Sequence, residues 1–96
     1  MPTHNETERF LRDFDRLTPK QQAEFFVAVA KLVADLRRGV IRAGLRVKRY
    51  QRLEGAWEMT WADDGRALFR YGPSIRPGDP HIIWLRVGGH EIFEDR

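Results

Sequence analysis

One histidine and two arginines have the side-chain chemistry needed to act on a phosphate ester. Histidine ordinarily gains and loses its proton near neutral pH, so His90 is a candidate general acid or base. Arg66 and Arg70 carry guanidinium groups, which bind phosphate oxygens through paired hydrogen bonds. We expect them on one face of one strand, close enough to bind one phosphodiester or two neighbouring phosphates. The alternative for His90 is a polar residue near the C-terminus with no catalytic role.

A carboxylate, Glu58, is the remaining candidate for proton transfer. It could act as a general base, but neighbouring arginines would favour its charged form and weaken it in that role. The alternative is a cross-strand ion pair between Glu58 and Arg70. Arg70 therefore has a structural role competing with phosphate binding.

The segment from Trp57 to Tyr71 is expected to position these residues as a β-hairpin. Apolar and polar residues alternate in its first half, which indicates a strand with one face on a core and the other in water. A three-residue loop, Asp63 to Gly65, puts glycine where such loops adopt a left-handed backbone. This register pairs Glu58 with Arg70. It also gives three core pairs: Trp61 with Ala67, Met59 with Phe69, and Trp57 with Tyr71.

The positive charge of the chain is concentrated in one segment. Arg37 to Arg52 contains seven cations and no acid, whereas the rest of the chain has ten cations and fourteen acids. This asymmetry indicates an anionic partner for one side of the molecule, or else a solvated basic linker. Within the segment, Arg46, Lys48 and Arg49 are the candidates for phosphate contacts.

Two helices are predicted before the hairpin. Apolar residues recur at spacings of three and four from about Glu8 to Arg16. Thr18 can cap a second helix, with Pro19 at its first position and Gln21 completing a capping box. This helix is expected to run to about Arg38 and end at Gly39. The helices then form an antiparallel hairpin packed on the sheet.

The remaining segments complete a single α+β domain over residues 1–96, with helices in 8–38 and the sheet and C-terminal site in 45–93. Leu45 to Tyr50 is predicted to be a short edge strand or an extended loop. Gly72 to Pro80 is a predicted surface loop. His81 to Val87 is apolar on both faces, which is typical of a central strand.

The sequence does not support a disulfide, a thiolate site, a membrane span, a signal peptide or a metal site. The chain has no cysteine, hence no disulfide or thiolate site. Its apolar runs are shorter than the roughly 20 residues that span a membrane, and its first residues lack a signal-peptide pattern. We therefore expect a soluble cytoplasmic protein. His4 is predicted to be frayed and His81 to lie at a loop edge, so no metal site is expected.

Three segments resemble the RelE/ParE-like toxins of bacterial type II toxin–antitoxin systems. They are LRVKRYQRLEGAWEMTW, DGRALFRY and RVGGHEIF, in that order after a helical hairpin. Members of that family commonly begin with a β-strand. Residues Met1 to Thr7 have no strand pattern, so we expect a sheet one strand shorter, or a first strand that pairs without an apolar signature.

The resemblance implies a mainly antiparallel, twisted sheet close to that of a microbial ribonuclease. It implies cleavage of messenger RNA on the ribosome, without metal or cofactor, and neutralisation by a cognate antitoxin. A monomer or a toxin–antitoxin hetero-oligomer is expected. The resemblance matches His90 to the family's C-terminal histidine and Arg66 to its strand arginine. With Arg70 and Glu58, they are the candidate catalytic residues. Phe93 would stack on an RNA base or anchor the chain end on the core.

Two other functions remain open at this point. The ParE-like branch inhibits DNA gyrase and needs no acid–base residue. A non-toxic relative would bind RNA or a protein partner only. The presence of His90 and Arg66 argues against the gyrase inhibitor.

Overall fold

The computed structural model describes residues 3–73 and 80–93, so most of the predicted loop from Gly72 to Pro80 lies outside the described residues. The helices are α1 (Glu8–Asp15) and α2 (Pro19–Arg38). Two short 3-10 helices cover Ala43–Leu45 and His90–Phe93. The strands are β1 (Thr3–Glu6), β2 (Lys48–Arg49), β3 (Ala56–Thr60), β4 (Arg66–Gly72) and β5 (His81–Gly88).

The predicted helical hairpin and its caps are confirmed. The Thr18 hydroxyl accepts a hydrogen bond from the Gln21 amide, and the Gln21 side chain accepts one from the Thr18 amide. Gly39 ends α2 in a left-handed conformation, with φ of 81°. A cap that the sequence analysis did not identify begins α1, where the Thr7 hydroxyl accepts from the Phe10 amide at 3.0 Å. None of the helices in the described ranges is long and apolar enough to cross a membrane.

The sheet has five strands in the order β1-β5-β4-β3-β2, which confirms the α+β class. Among the strands of residues 3–73 and 80–93, only the β1–β5 pair is parallel. Of the two alternatives for the first residues, the shorter sheet is wrong and the strand without an apolar signature is confirmed, because β1 pairs with β5 from Thr3 opposite His81 to Glu6 opposite Trp84. An edge strand held by main-chain hydrogen bonds does not need alternating apolar residues, and so it leaves little pattern in the sequence.

The predicted register of the β3–β4 hairpin is wrong by two residues. Trp57 lies opposite Phe69 and Met59 opposite Ala67. A shift of two residues keeps every side chain on its predicted face but changes its partners. Gly65 explains the shift. It is a paired residue rather than the last loop residue, and a Cβ there would lie 2.5 Å from the Trp61 ring.

The core lies between the helical hairpin and the inner face of the sheet. Trp84 and Val87 both join it, although they are three residues apart, because an irregularity in the β4–β5 ladder inserts one extra residue between them. Tyr71 was predicted to be in the core but is 39% exposed, since β3 begins opposite Arg70 and does not extend past Tyr71. The fully or nearly buried apolar side chains include Phe10, Phe25, Leu32, Met59, Phe69, Ile82, Trp84 and Val87.

His81 was predicted at a loop edge but is a buried residue of β5. Its main chain lies between Thr3 of β1 and Gly72 of β4. Because β1 covers this side of β5, the first residue of the strand is enclosed. The backbone of His4, predicted to be frayed, is part of the same β1–β5 ladder.

A buried carboxylate joins the helices to the sheet. Asp13 of α1 accepts hydrogen bonds from the Arg86 side chain at 2.6 and 3.1 Å and from the Val87 amide at 3.2 Å. Both side chains are largely buried, with 6% of Asp13 and 13% of Arg86 exposed. This cluster fixes the last turn of α1 against the C-terminal end of β5.

Removing the Asp13 carboxylate should destabilise the fold strongly. Asp13→Ala removes the carboxylate that accepts from the Arg86 side chain and the Val87 amide, and removing one member of a buried ion pair typically costs about 3–5 kcal/mol. Urea denaturation should show this loss. Asp15→Ala, an exposed position on the same helix, is the matched control and should change stability little. Equal stability of the two variants would contradict the role given to Asp13.

A second buried carboxylate, Asp35, holds the connector that follows α2. It accepts two hydrogen bonds from the Arg42 side chain, at 2.8 and 2.9 Å, and one from the Arg42 amide at 2.9 Å. Arg38 donates to the same carboxylate. The Arg42 side chain, then its amide, and then Arg38 hold the pKa of Asp35 far below its ordinary value, against the opposing effect of burial.

The lowered pKa of Asp35 predicts acid-sensitive stability. A carboxyl group whose pKa is lower in the folded state stabilises the protein above its unfolded-state pKa, near pH 4. That contribution is lost as the pH falls toward the folded-state pKa. Asp35→Asn should therefore be less stable than the parent at pH 7, with a difference that shrinks below pH 4 in denaturation curves. A difference independent of pH would refute this linkage, and Glu24→Gln serves as the exposed control.

Candidate active site

A cavity of about 340 Å³ lies on the outer face of the sheet, away from the helices. It brings together six of the eight side chains that the sequence identified as site residues: Arg46, Lys48, Glu58, Arg66, His90 and Phe93. Tyr50, Arg52 and Thr60 complete its wall. Four cations and one carboxylate line it, so the cavity is suited to a polyanion.

His90 is held by an aspartate that the sequence analysis did not identify. Its ring Nδ1 lies 2.5 Å from Oδ1 of Asp64, in the loop between β3 and β4. The hydrogen bond from His90 is the largest cause that lowers the pKa of Asp64, with a smaller contribution from the charge of Arg66. An ionised carboxylate only accepts hydrogen bonds, so Nδ1 carries the proton. Nε2 is then the nitrogen that can accept a proton from a ligand and return it.

Gly89 makes this close approach possible. A Cβ at position 89 would lie 2.5 Å from Oδ2 of Asp64 and 2.5 Å from Oε2 of Glu91. The Gly89 amide donates to the Glu91 carboxylate at 3.1 Å, which starts the short helix His90–Phe93. The pairing of Arg66 with Gly88 brings the hairpin loop to this point of the chain. Asp64 was missed in the sequence analysis because its position beside His90 depends on the β4–β5 register, which the sequence alone does not give.

The Arg66 side chain stabilises the loop that contains Asp64. Its Nη1 donates to the main-chain oxygens of Ala62, Asp63 and Gly65 at 3.3, 3.2 and 2.9 Å. This contact fixes the guanidinium at the wall of the cavity. Arg66 therefore combines a positive charge in the site with a structural role in the loop.

Glu58 pairs with Lys48 and not with Arg70. Lys48 Nζ lies 3.4 Å from Oε1 of Glu58, and the main chains of the two residues are opposite each other in β2 and β3. The predicted Glu58–Arg70 pair is wrong because Glu58 lies opposite Leu68 in the observed register. Glu58 is only 15% exposed and is the sole carboxylate among the residues that line this cavity.

Two predicted site residues lie elsewhere. Arg70 is four residues from Arg66 along β4, or roughly 13 Å at the usual strand rise, which is too far to bind the same phosphodiester. It lies between Ala56 and Ile83, and its buried Nε has no hydrogen-bond partner among the described residues. The Arg49 guanidinium lies 5.6 Å from the centre of the Trp57 ring, a cation–π contact outside the cavity.

Phe93 is anchored at one side of the cavity. Its ring stacks on Tyr50, with 5.3 Å between ring centres, and meets the His90 ring edge-on at 6.0 Å. The Arg52 guanidinium donates to the Phe93 main-chain oxygen at 2.6 Å. Phe93 thus has the anchoring role that was one of its two alternatives, on the outer face of the sheet instead of the core, and it still lines the cavity.

In residues 3–73 and 80–93 no group of three or more His, Asp or Glu side chains is placed to hold a metal ion. The chemistry of the cavity is that of a histidine–carboxylate pair beside guanidinium and ammonium groups.

Sequence comparison identifies no relative: no family model matches the chain, and no curated protein matches it. Structural comparison finds solved structures of similar fold. YafQ from E. coli strain BL21(DE3) matches with a TM-score of 0.67 at 10% identity, over 99% of this chain and 100% of YafQ. The YoeB/ParE toxin from Agrobacterium tumefaciens matches with a TM-score of 0.64 at 12% identity, over 92% and 98% of the two chains.

A third match is RelE in the RelB–RelE antitoxin–toxin complex from Methanococcus jannaschii, with a TM-score of 0.60 at 10% identity, over 94% of each chain. The chain therefore has the fold of the RelE-, YoeB- and YafQ-type toxins, which confirms the resemblance in fold predicted from the three sequence segments. At identities this low, the likeness establishes the fold alone.

The Asp64–His90 contact predicts one tautomer of the imidazole. The ring of His90 should be protonated at Nδ1 in its neutral form, as read from ¹⁵N chemical shifts of the ring nitrogens. Asp64→Ala should shift the ring toward the Nε2-protonated form, because the acceptor that fixes Nδ1–H is gone. Asp63→Ala, in the same loop, is the control and should leave the spectrum unchanged. Identical ring shifts in all three proteins would rule out the Asp64 contact.

Proposed function

We propose that this protein is the toxin of a type II toxin–antitoxin system and cleaves messenger RNA on the ribosome without a metal ion, which blocks translation. The observation that carries the proposal is the Asp64–His90 pair, placed with Arg66 at one end of a cationic cavity. The fold shared with YafQ, YoeB/ParE and RelE supports the toxin role.

The cavity contains the groups that metal-independent RNA cleavage requires. A base takes the proton of the ribose 2′-hydroxyl, cations stabilise the pentavalent phosphate, and an acid protonates the leaving oxygen. In our assignment Glu58 is the base and protonated His90 is the acid, acting through Nε2. Arg66 stabilises the phosphate charge. Lys48 Nζ lies 3.4 Å from Oε1 of Glu58, the proposed base.

The bond changes balance as follows. The 2′-oxygen attacks phosphorus while its proton passes to the Glu58 carboxylate. The bond from phosphorus to the 5′-oxygen breaks, and that oxygen takes the proton from His90. The products are a 2′,3′-cyclic phosphate and a free 5′-hydroxyl. Asp64 holds the imidazole orientation and stabilises its positive charge before the transfer.

The aromatic wall supports binding of an unpaired nucleotide. Sequence-specific RNA recognition commonly uses bases that stack on aromatic side chains. Phe93 is already ordered by its stack on Tyr50 and by the Arg52 hydrogen bond to its main chain. Binding therefore needs little further ordering of this ring, which favours affinity.

A cognate antitoxin is the proposed protein partner. The solved structures with this fold include the E. coli DinJ–YafQ toxin–antitoxin complex and the RelB–RelE complex. Large apolar side chains on the helical hairpin are unusually exposed, with Leu11 at 49%, Phe26 at 59% and Val27 at 57%. Exposed apolar groups of this kind are suited to a protein partner. An adjacent reading frame for a small DNA-binding protein would support the pair.

Replacing His90, the proposed general acid, should lower the rate of RNA cleavage without unfolding the protein. His90→Ala is expected to lower the rate of transcript cleavage on programmed ribosomes by about 10²–10⁴, the usual contribution of a general acid. Primer extension measures the cleavage, and circular dichroism checks the fold. Lys20→Ala, exposed and outside the cavity, should cleave at the parental rate. Unchanged cleavage and toxicity in His90→Ala would refute the assignment of His90 as the general acid.

DNA gyrase inhibition is the competing outcome of this experiment. A gyrase inhibitor has no need of a histidine fixed by a carboxylate beside cations, so the cavity favours the ribonuclease. Loss of supercoiling activity of purified gyrase, with no RNA cleavage, would reverse that choice. Absence of both effects, and of toxicity on expression, would indicate a non-toxic relative.

A further inference from the structure

A second cavity, of about 460 Å³, lies next to the candidate active site. It is enclosed by α2, the 3-10 helix Ala43–Leu45 and the end of the β3–β4 hairpin. Its cationic side chains are Lys31, Arg42, Arg46 and Arg66, and its acidic ones are Glu24 and Asp63. Its volume is within the range of ordinary ligand pockets.

The two cavities share part of their walls. Arg46, Thr60 and Arg66 line both of them. A ligand bound in the first cavity and extended across these three side chains would reach the second. An extended polymer fits this shape better than a single small molecule, which would occupy only one cavity.

Two cations of the second cavity, Lys31 and Arg46, are available to a ligand. Among the described residues, no carboxylate lies within ion-pair distance of Lys31 or Arg46. Arg42 differs, because the buried Asp35 holds its guanidinium. Arg42 is thus a fixed part of the wall, while Lys31 and Arg46 supply the charge that is not neutralised.

The backbone of Arg46, a residue that lines both cavities, is strained. Its φ of 49° is the one positive value at a non-glycine residue in the described chain. A left-handed backbone costs a non-glycine residue roughly 1–2 kcal/mol, and such strain is concentrated at functional sites. The Asp35–Arg42 cluster directly precedes this segment and holds it in place.

The acidic residues do not cancel this charge uniformly. Glu24 precedes Lys31 by seven residues on α2, or roughly 10 Å along the helix axis. The acidic and cationic ends of this wall are therefore separated. Phosphate groups are favoured at the Lys31 end, beside Arg46, and disfavoured near Glu24.

We propose that the second cavity is a phosphate-binding subsite for single-stranded RNA, in which Lys31 and Arg46 contact the phosphodiester next to the one that is cleaved. The proposal rests on the ribonuclease function above and defines its substrate further, as a strand of at least three nucleotides spanning both cavities. Contacts of this kind set affinity and position and carry no sequence information.

Binding of short RNA analogues tests the subsite. The probes are fluorescent 2′-O-methyl oligonucleotides of two to five nucleotides, which cannot be cleaved by the proposed reaction, titrated by anisotropy at low salt. Affinity should increase from two to four nucleotides. For the longer probes, Lys31→Ala should weaken binding and reduce the slope of log Kd against log salt by about 0.7, the value for one phosphate contact on a single strand.

Lys20→Ala removes the same charge from an exposed position on α2 that lines neither cavity, and should bind like the parent. Equal affinity for all probe lengths, or an unchanged slope in Lys31→Ala while ribosomal cleavage persists, would overturn the subsite and leave the nuclease standing. A protein that neither binds the probes nor cuts transcripts would refute both proposals. Length-dependent binding without any cleavage would support the subsite and count against the nuclease alone.

Discussion

The buried contact between Asp13 and Arg86 is the constraint on which the rest of the structure depends. It joins the first helix to the central strand, two residues before the Gly88–Gly89 pair. The Asp13 carboxylate also accepts from the Val87 amide, so it fixes main chain as well as side chain. Buried ion pairs are a poor source of net stability but a strong source of geometry, because a misplaced helix would leave a charge enclosed and unpaired.

The arrangement of the candidate active site depends on the Asp13–Arg86 contact. Once the end of β5 is fixed, Gly88 pairs with Arg66 and the β3–β4 loop meets the short C-terminal helix. Asp64 and His90 then come into contact, although they are 26 residues apart in sequence. On the other side, Asp35 fixes the connector that carries Arg46 and Lys48. Two buried aspartates thus position the two halves of the cavity, and neither of them lines it.

Local patterns were enough to predict the helices and the faces of the hairpin. The capping box at Thr18 and the left-handed Gly39 are local features, and the alternation around Met59 depends only on neighbouring residues. These predictions needed no knowledge of distant contacts. Six of the eight proposed site residues line one cavity.

The errors have a common physical origin in contacts between distant segments. The pairing of β1 depends on the exposed edge of β5, the hairpin register on the Trp61 ring over Gly65, and the role of Asp64 on the approach of residue 90. The exposure of Tyr71 likewise reflects where a neighbouring strand begins. A single sequence contains no period or motif that reports such contacts.

The position of β5 also has a consequence for when the fold can be completed. This strand lies between β1 and β4, yet it is the last of the five to be synthesised. Pairing across almost the whole chain is slow to form and cannot begin before β5 leaves the ribosome. Until then β1 has no partner strand, and Asp13 cannot contact Arg86. The cavity that His90 lines is therefore completed only after β5 has paired on both sides.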